Sequence, residues 1–109
     1  MFQILKPTGK GEPERLDHFE PGTWVQVIAP APAELGEIAR RCEVSRDLLE
    51  DSADPHELPR IEQENGALYV YSRMPLDRED DVTTRTFTMI RTADYLLTIS
   101  FQPTLTIDQ

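Results

Sequence analysis

The chain has 109 residues, with 11 Lys and Arg against 20 Asp and Glu, and a formal net charge of -9. This length supports one domain able to bury roughly two-thirds of its unfolded surface, while the acidic balance argues against nucleic acid or an anionic membrane surface as partner. A single cysteine, Cys42, allows no internal disulfide and suggests a reducing compartment; no stretch approaches the ~18 apolar residues of a transmembrane helix, so the expectation is a soluble, cytoplasmic chain.

Residues 2–5 read as a first strand, and residues 6–22 as a loop, because three Pro and three Gly lie there among charges, with local order near Leu16 and Phe19. Residues 24–28 are aromatic and β-branched, which predicts a central strand. The Pro30 and Pro32 pair breaks that strand and opens a helix over residues 33–42, in which Leu35, Ile38, Ala39 and Cys42 recur at i, i+3, i+4 and i+7. On that apolar face Cys42 reads as a small buried hydrophobe, since no histidine accompanies it to make a nucleophile. Glu37 and Arg41 are spaced to pair on the solvent side.

Ser45 is placed to cap a second, shorter helix, with Asp47 favourable in its first turn and Leu48 and Leu49 as its anchors. Pro55 and Pro59 stop any helix beyond it. Residues 60–64 and 67–73 flank Asn65-Gly66, a hairpin signal, because both central residues of a type I′ turn need positive φ. In the returning strand Leu68 and Val70 point one way, Tyr69 and Tyr71 the other. Residues 76–82 form an acidic loop, residues 84–91 and 95–101 read as further strands, and residues 104–107 alternate as if extended. The predicted fold class is α+β: one layered domain over residues 1–109, with a mixed, mostly antiparallel sheet of about six strands and two helices inserted between the second and third.

Catalytic signatures are missing from the sequence: there is no Gly-rich phosphate loop, no C-x-x-C, no G-x-S-x-G and no H-E-x-x-H. His18 and His56 stand in polar, Pro-flanked settings that favour a solvated role. Glu62 and Glu64 share one side of a strand, but paired acids beside a turn are more often a solvated face than an acid–base dyad. The chain does not read as an enzyme. Its most distinctive feature is a run of five acids, Asp47, Glu50, Asp51, Asp54 and Glu57, within eleven positions and with no Lys or Arg among them. Asp47, Glu50, Asp51 and Asp54 share one face if the helix persists that far, and their repulsion is relieved by a cation or a basic partner. Hard divalent cations suit such oxygen ligands, and Mg²⁺ keeps most of its waters and needs only one or two carboxylates. On residues alone a solvated acidic face remains the simpler alternative.

Taken in order, Trp24-Val25-x-Val27-x-x-Pro30, Leu49-Glu50-Asp51, Asp54-Pro55-x-Glu57-x-Pro59-Arg60-Ile61-Glu62, the hairpin with Leu68-Tyr69-Val70 and Pro75, and Tyr95-Leu96-Leu97-Thr98-Ile99 form a recognisable set. Over residues 24–100 the chain resembles the N-terminal cytoplasmic domain of the CorA family of divalent-cation (Mg²⁺/Co²⁺) transporters. The resemblance implies that the chain corresponds to the first part of a homopentameric transporter whose two transmembrane helices and Gly-Met-Asn pore signature lie beyond it. It implies a regulatory Mg²⁺ site between protomers, to which Asp51, with Glu50 beside it, contributes the N-terminal half; Co²⁺ or Zn²⁺ is not separated from Mg²⁺ by these residues. The implied site is an exposed one at the end of the second helix, binding Mg²⁺ weakly in the chain alone, and the chain alone should be a monomer or weak dimer. A cation-sensing domain and an adaptor domain whose acidic face takes a basic protein partner without metal both remain open. Arg60 is expected to be partly buried and paired with a nearby acid.

Overall fold

In the computed structural model residues 1–54, 57–75 and 84–101 are described. The expectations for His56, the acidic loop of residues 76–82 and the extended residues 104–107 fall outside them. Seven strands and two helices follow in the order β1 (Phe2–Lys6), β2 (Glu14–Leu16), β3 (Thr23–Ile28), α1 (Pro32–Cys42), α2 (Arg46–Asp51), β4 (Arg60–Glu64), β5 (Ala67–Pro75), β6 (Thr84–Arg91) and β7 (Tyr95–Ser100). The spatial order in the sheet is β2-β1-β3-β7-β6-β5-β4. All neighbours are antiparallel except β3 and β7, which run parallel with Val25 opposite Leu97 and Val27 opposite Ile99. A parallel pair needs a crossover between its strands, and here the crossover is everything between: the helices and the β4–β5–β6 meander.

The α+β class and mixed sheet are as the sequence predicts, with one correction. Residues 14–16 form β2, so the helices enter between the third and fourth strands of seven. The local sequence reads as loop because of its Pro and Gly; the strand exists because β1 supplies a ladder for it, with Ile4 opposite Leu16 and Lys6 opposite Glu14. Leu16 and Phe19 then pack on the main core, and the Phe19 ring lies 5.6 Å from Phe2 and 6.2 Å from Tyr95. Arg41 stands 5.5 Å from the centre of the Phe19 ring, a cation–π contact in place of the expected pairing with Glu37.

The core lies between the helices and one face of the sheet. Val25, Val27, Ile38, Leu49, Ile90, Leu97 and Ile99 are fully buried there, with Tyr69 and Tyr71 beside them. Leu35, Ile38 and Cys42 of α1 all point inward, as the helical spacing requires. Burial pushes the Cys42 thiol up to about 12, which keeps it protonated and inert, a packing residue. The β4–β5 hairpin turns at Asn65 (φ 50°) and Gly66 (φ 82°), as a type I′ turn demands. β4 is a sheet edge, and its outward charges Glu62 and Glu64 guard it against strand addition.

Candidate functional site: the acidic turn after the second helix

α2 is only six residues long, and a helix this short does not hold itself together in water. Its terminal backbone groups are instead satisfied one by one. At the N-terminus Ser45 Oγ accepts from the Leu48 N–H at 3.3 Å, and the Ser45 N–H donates to the Tyr69 hydroxyl at 2.9 Å. At the C-terminus the Tyr71 hydroxyl donates to the Leu48 carbonyl at 2.6 Å. The carbonyls of Leu49, Glu50 and Asp51 accept from the N–H groups of Ser52, Ala53 and Asp54 at 3.1, 3.0 and 3.1 Å. Those i→i+3 bonds tighten the end of the helix into a turn. The helix therefore stops at Asp51, and the proposed face of four acids does not extend to Asp54.

The turn is tied to the sheet. Thr86 Oγ1 donates to the Asp54 carbonyl at 2.9 Å, and Arg73 Nη1 donates to Thr86 Oγ1 at 3.2 Å and to the Glu57 carbonyl at 3.4 Å. At its centre is Arg60, the first residue of β4 and the cross-strand partner of Tyr71. The Arg60 guanidinium lies 4.2 Å from the centre of the Tyr71 ring, a cation–π contact. Its Nη2 donates to Asp51 Oδ2 at 3.0 Å, its Nη1 to Glu57 Oε1, and its Nε lies 3.2 Å from Glu62 Oε1 without the alignment of a hydrogen bond. Burial opposes the charge on Arg60, but the hydrogen bonds it donates to Asp51 and Glu57 outweigh it and hold the pKa above its ordinary value. Burial likewise raises the Tyr71 phenol, so its hydroxyl stays a donor at any ordinary pH.

Asp51 is thus placed where the sequence predicts, at the C-terminal end of α2, but it is half-buried and ion-paired, not free. Glu50 is exposed and pairs with Arg46 one turn back, at 3.2 Å, while Arg46 Nη2 reaches across to the Pro32 carbonyl. The two acids therefore have separate partners. Arg60 gathers three acids, Asp51, Glu57 and Glu62, and the expectation that it is partly buried and acid-paired holds. Among the described residues no group of three or more His, Cys, Asp or Glu side chains is arranged to hold a metal ion. A hard cation still fits the donor chemistry as a half-site: Asp51 keeps Oδ1 and Glu50 keeps Oε1 outside their arginine bonds, and Mg²⁺ needs no more than one or two carboxylates with waters. Spacing alone does not group Glu57 and Glu62 with Asp51; the usable signal was that Arg60 has five acids within nine positions of it.

The remaining sequence candidates lie elsewhere. His18 is on the surface, with Nδ1 3.0 Å from Asp17 Oδ1 and Nε2 3.2 Å from Glu20 Oε1, and Lys6 Nζ sits 2.7 Å from the other Glu20 oxygen. Hydrogen bonds from Asp17 and then Glu20 raise the His18 pKa above its ordinary 6.5. Because the folded value is raised, the protonated cluster stabilises the fold below pH 6.5 and loses that contribution as the pH rises through the folded value. NMR titration should place the His18 midpoint above 6.5, and Asp17→Asn with Glu20→Gln should bring it back; an unshifted wild-type midpoint would contradict the contacts.

The fold, a mixed sheet with two helices packed on one face, is similar to that of solved CorA structures. The chain superposes on the CorA magnesium transporter of Methanocaldococcus jannaschii with a TM-score of 0.81 at 23% identity, covering 99% of this chain and 34% of that one. It matches the separate soluble domain of that CorA at 0.77 and 21% identity, covering 94% and 41%. It also matches the ZntB cytoplasmic domain from Vibrio parahaemolyticus at 0.72 and 13% identity, covering 94% and 44%. The fold implied by the resemblance over residues 24–100 is therefore the fold observed. The chain spans about a third of the full CorA chain it matches. No protein-family model and no curated protein matches the chain. No helix among the described residues is long and apolar enough to cross a membrane.

Proposed function

We propose that this chain is the N-terminal cytoplasmic regulatory domain of a CorA-like Mg²⁺/Co²⁺ transporter, without enzymatic activity of its own. In this reading Asp51, with Glu50 beside it, supplies one side of a divalent-cation site that a neighbouring protomer of a pentamer completes. The observation that carries the reading is the position of Asp51. It ends a helix at the protein surface, where the dipole adds negative potential and a carboxylate oxygen remains outside its arginine bond. A cation bridging two protomers favours the closed arrangement by its differential affinity for that state, and falling internal Mg²⁺ releases it. The cation bound is Mg²⁺ or Co²⁺, with Zn²⁺ the outcome if selectivity assays of the longer protein say so. The isolated chain is a monomer or weak dimer, and it binds Mg²⁺ only in the roughly millimolar range of oxygen sites with few charged ligands.

The test is Asp51→Ala in the transporter that contains this domain, with uptake measured against internal Mg²⁺. The variant should stay open at Mg²⁺ concentrations that close the wild type. If both close at the same concentration, Asp51 is not a sensor ligand. In that case the acidic face belongs to a basic protein partner or to solvent, and a pull-down by a basic partner that survives chelation would decide for the former.

A further inference from the structure

The network around Arg60 carries an inference about how strongly the acidic turn takes a cation. It rests on the reading that Asp51 is a cation ligand. Asp51, Glu57 and Glu62 surround one guanidinium, whose Nη2 holds Asp51 Oδ2 at 3.0 Å and whose Cζ lies 4.2 Å from the centre of the Tyr71 ring. The side chain of Arg60 is 29% exposed, against 44% for Asp51, so Arg60 is the less exposed member of the pair. Tyr71 in turn is fixed by its bond to the Leu48 carbonyl of α2. The guanidinium is therefore held in place from beneath and is not a loose surface arm. Arg73, a second cation at the turn, donates to the Glu57 carbonyl and to Thr86 Oγ1.

We propose that Arg60 is a built-in competitor for the Asp51 carboxylate: it neutralises the site in the absence of metal and lowers its affinity for a divalent cation. Two cations on one carboxylate repel, and any divalent ion drawn to Asp51 must either share it with the guanidinium or displace it. Displacement also frees the tie between the end of α2 and β4, so cation binding and the hold on the turn oppose each other. The arrangement would keep the site empty at low Mg²⁺ without an unpaired carboxylate at a helix C-terminus, where the dipole disfavours one.

The experiment uses the chain itself, with Mg²⁺ binding by calorimetry at low ionic strength and Mn²⁺-induced NMR line broadening to locate the ion. Arg60→Gln removes the charge and keeps a stem against Tyr71; its fold is checked by circular dichroism and thermal melting. The expected result is Mg²⁺ binding about two- to fivefold tighter than wild type, from loss of one ion pair at a partly exposed site. The tightening should be absent when Asp51→Asn is added. If Arg60→Gln binds no tighter, while Asp51→Asn alone weakens wild-type binding, the competition is overturned and the ligand role of Asp51 survives. If Asp51→Asn changes nothing in either background, both readings fall together. A second measurement does not depend on the variant folding. In wild-type protein the Asp51 carboxylate ¹³C shift and the Arg60 guanidinium ¹⁵N shifts should move with one midpoint as Mg²⁺ is added. A carboxylate shift that leaves the Arg60 signals in place would overturn the proposal.

Discussion

Leu49→Ala is expected to destabilise the chain by about 3 kcal/mol, and to lower its melting temperature by more than about 10 °C, as for other fully buried leucines in domains of this size. Leu49 is completely buried and is the only residue of α2 that is. Leu48 packs only partly against the core, so Leu48→Ala should cost clearly less. Because α2 has six residues and no independent stability, the loss should be concentrated there. Amide exchange should show the bonds of the turn, such as the Asp54 N–H to the Asp51 carbonyl, opening more readily than those of β3 and β7. A variant melting within about 2 °C of wild type would mean that Leu49 does not anchor the turn. Calorimetric melting with native-state exchange on the same sample makes both comparisons.

The second large effect is expected from the tyrosine pair. Tyr69→Phe with Tyr71→Phe keeps both buried rings and removes two hydroxyls, leaving the Ser45 N–H and the Leu48 carbonyl without their partners. Both groups are part-buried, and a buried group left unsatisfied costs about 1–3 kcal/mol, so the double variant should lose roughly 1–3 kcal/mol. Because both bonds hold the same helix, the two changes should not be additive. Either single variant should already loosen α2, and the second should add less than the first. Denaturant unfolding of the two singles and the double gives the comparison. Full additivity would mean that the two hydroxyls act on separate elements.

Both effects lie in the region where local sequence says least. The strands at residues 24–28, 60–64, 84–91 and 95–101, the helix closing at Cys42, the Ser45 cap and the Asn65-Gly66 turn were legible because each follows from a local rule: β-branched runs, apolar spacing, a hydroxyl before a helix, positive φ at a turn. The β2 strand was not, since its three residues carry no strand pattern and exist as a strand only because β1 lies beside them. The extent of the acidic face was overdrawn for a related reason. Spacing shows where side chains point only while the helix lasts, and the turn bonds from Ser52, Ala53 and Asp54 end it at Asp51.

Sequence by itself determined the class of fold, the acidic run that marks the candidate site and the position of Asp51 at a helix end, because periodicity, capping and breaker residues act over a few neighbouring positions. Only the tertiary structure decided what those acids do with their charge. Arg60 is nine residues beyond Asp51 and separated from it by prolines, and nothing local distinguishes it from a solvated arginine. It meets Asp51, Glu57 and Glu62 over the Tyr71 ring because β4 pairs with β5 in the register that sets Arg60 opposite Tyr71. Tyr71 in turn holds the last turn of α2 in place. Ion pairs form wherever packing brings opposite charges together, and packing is a property of the whole chain.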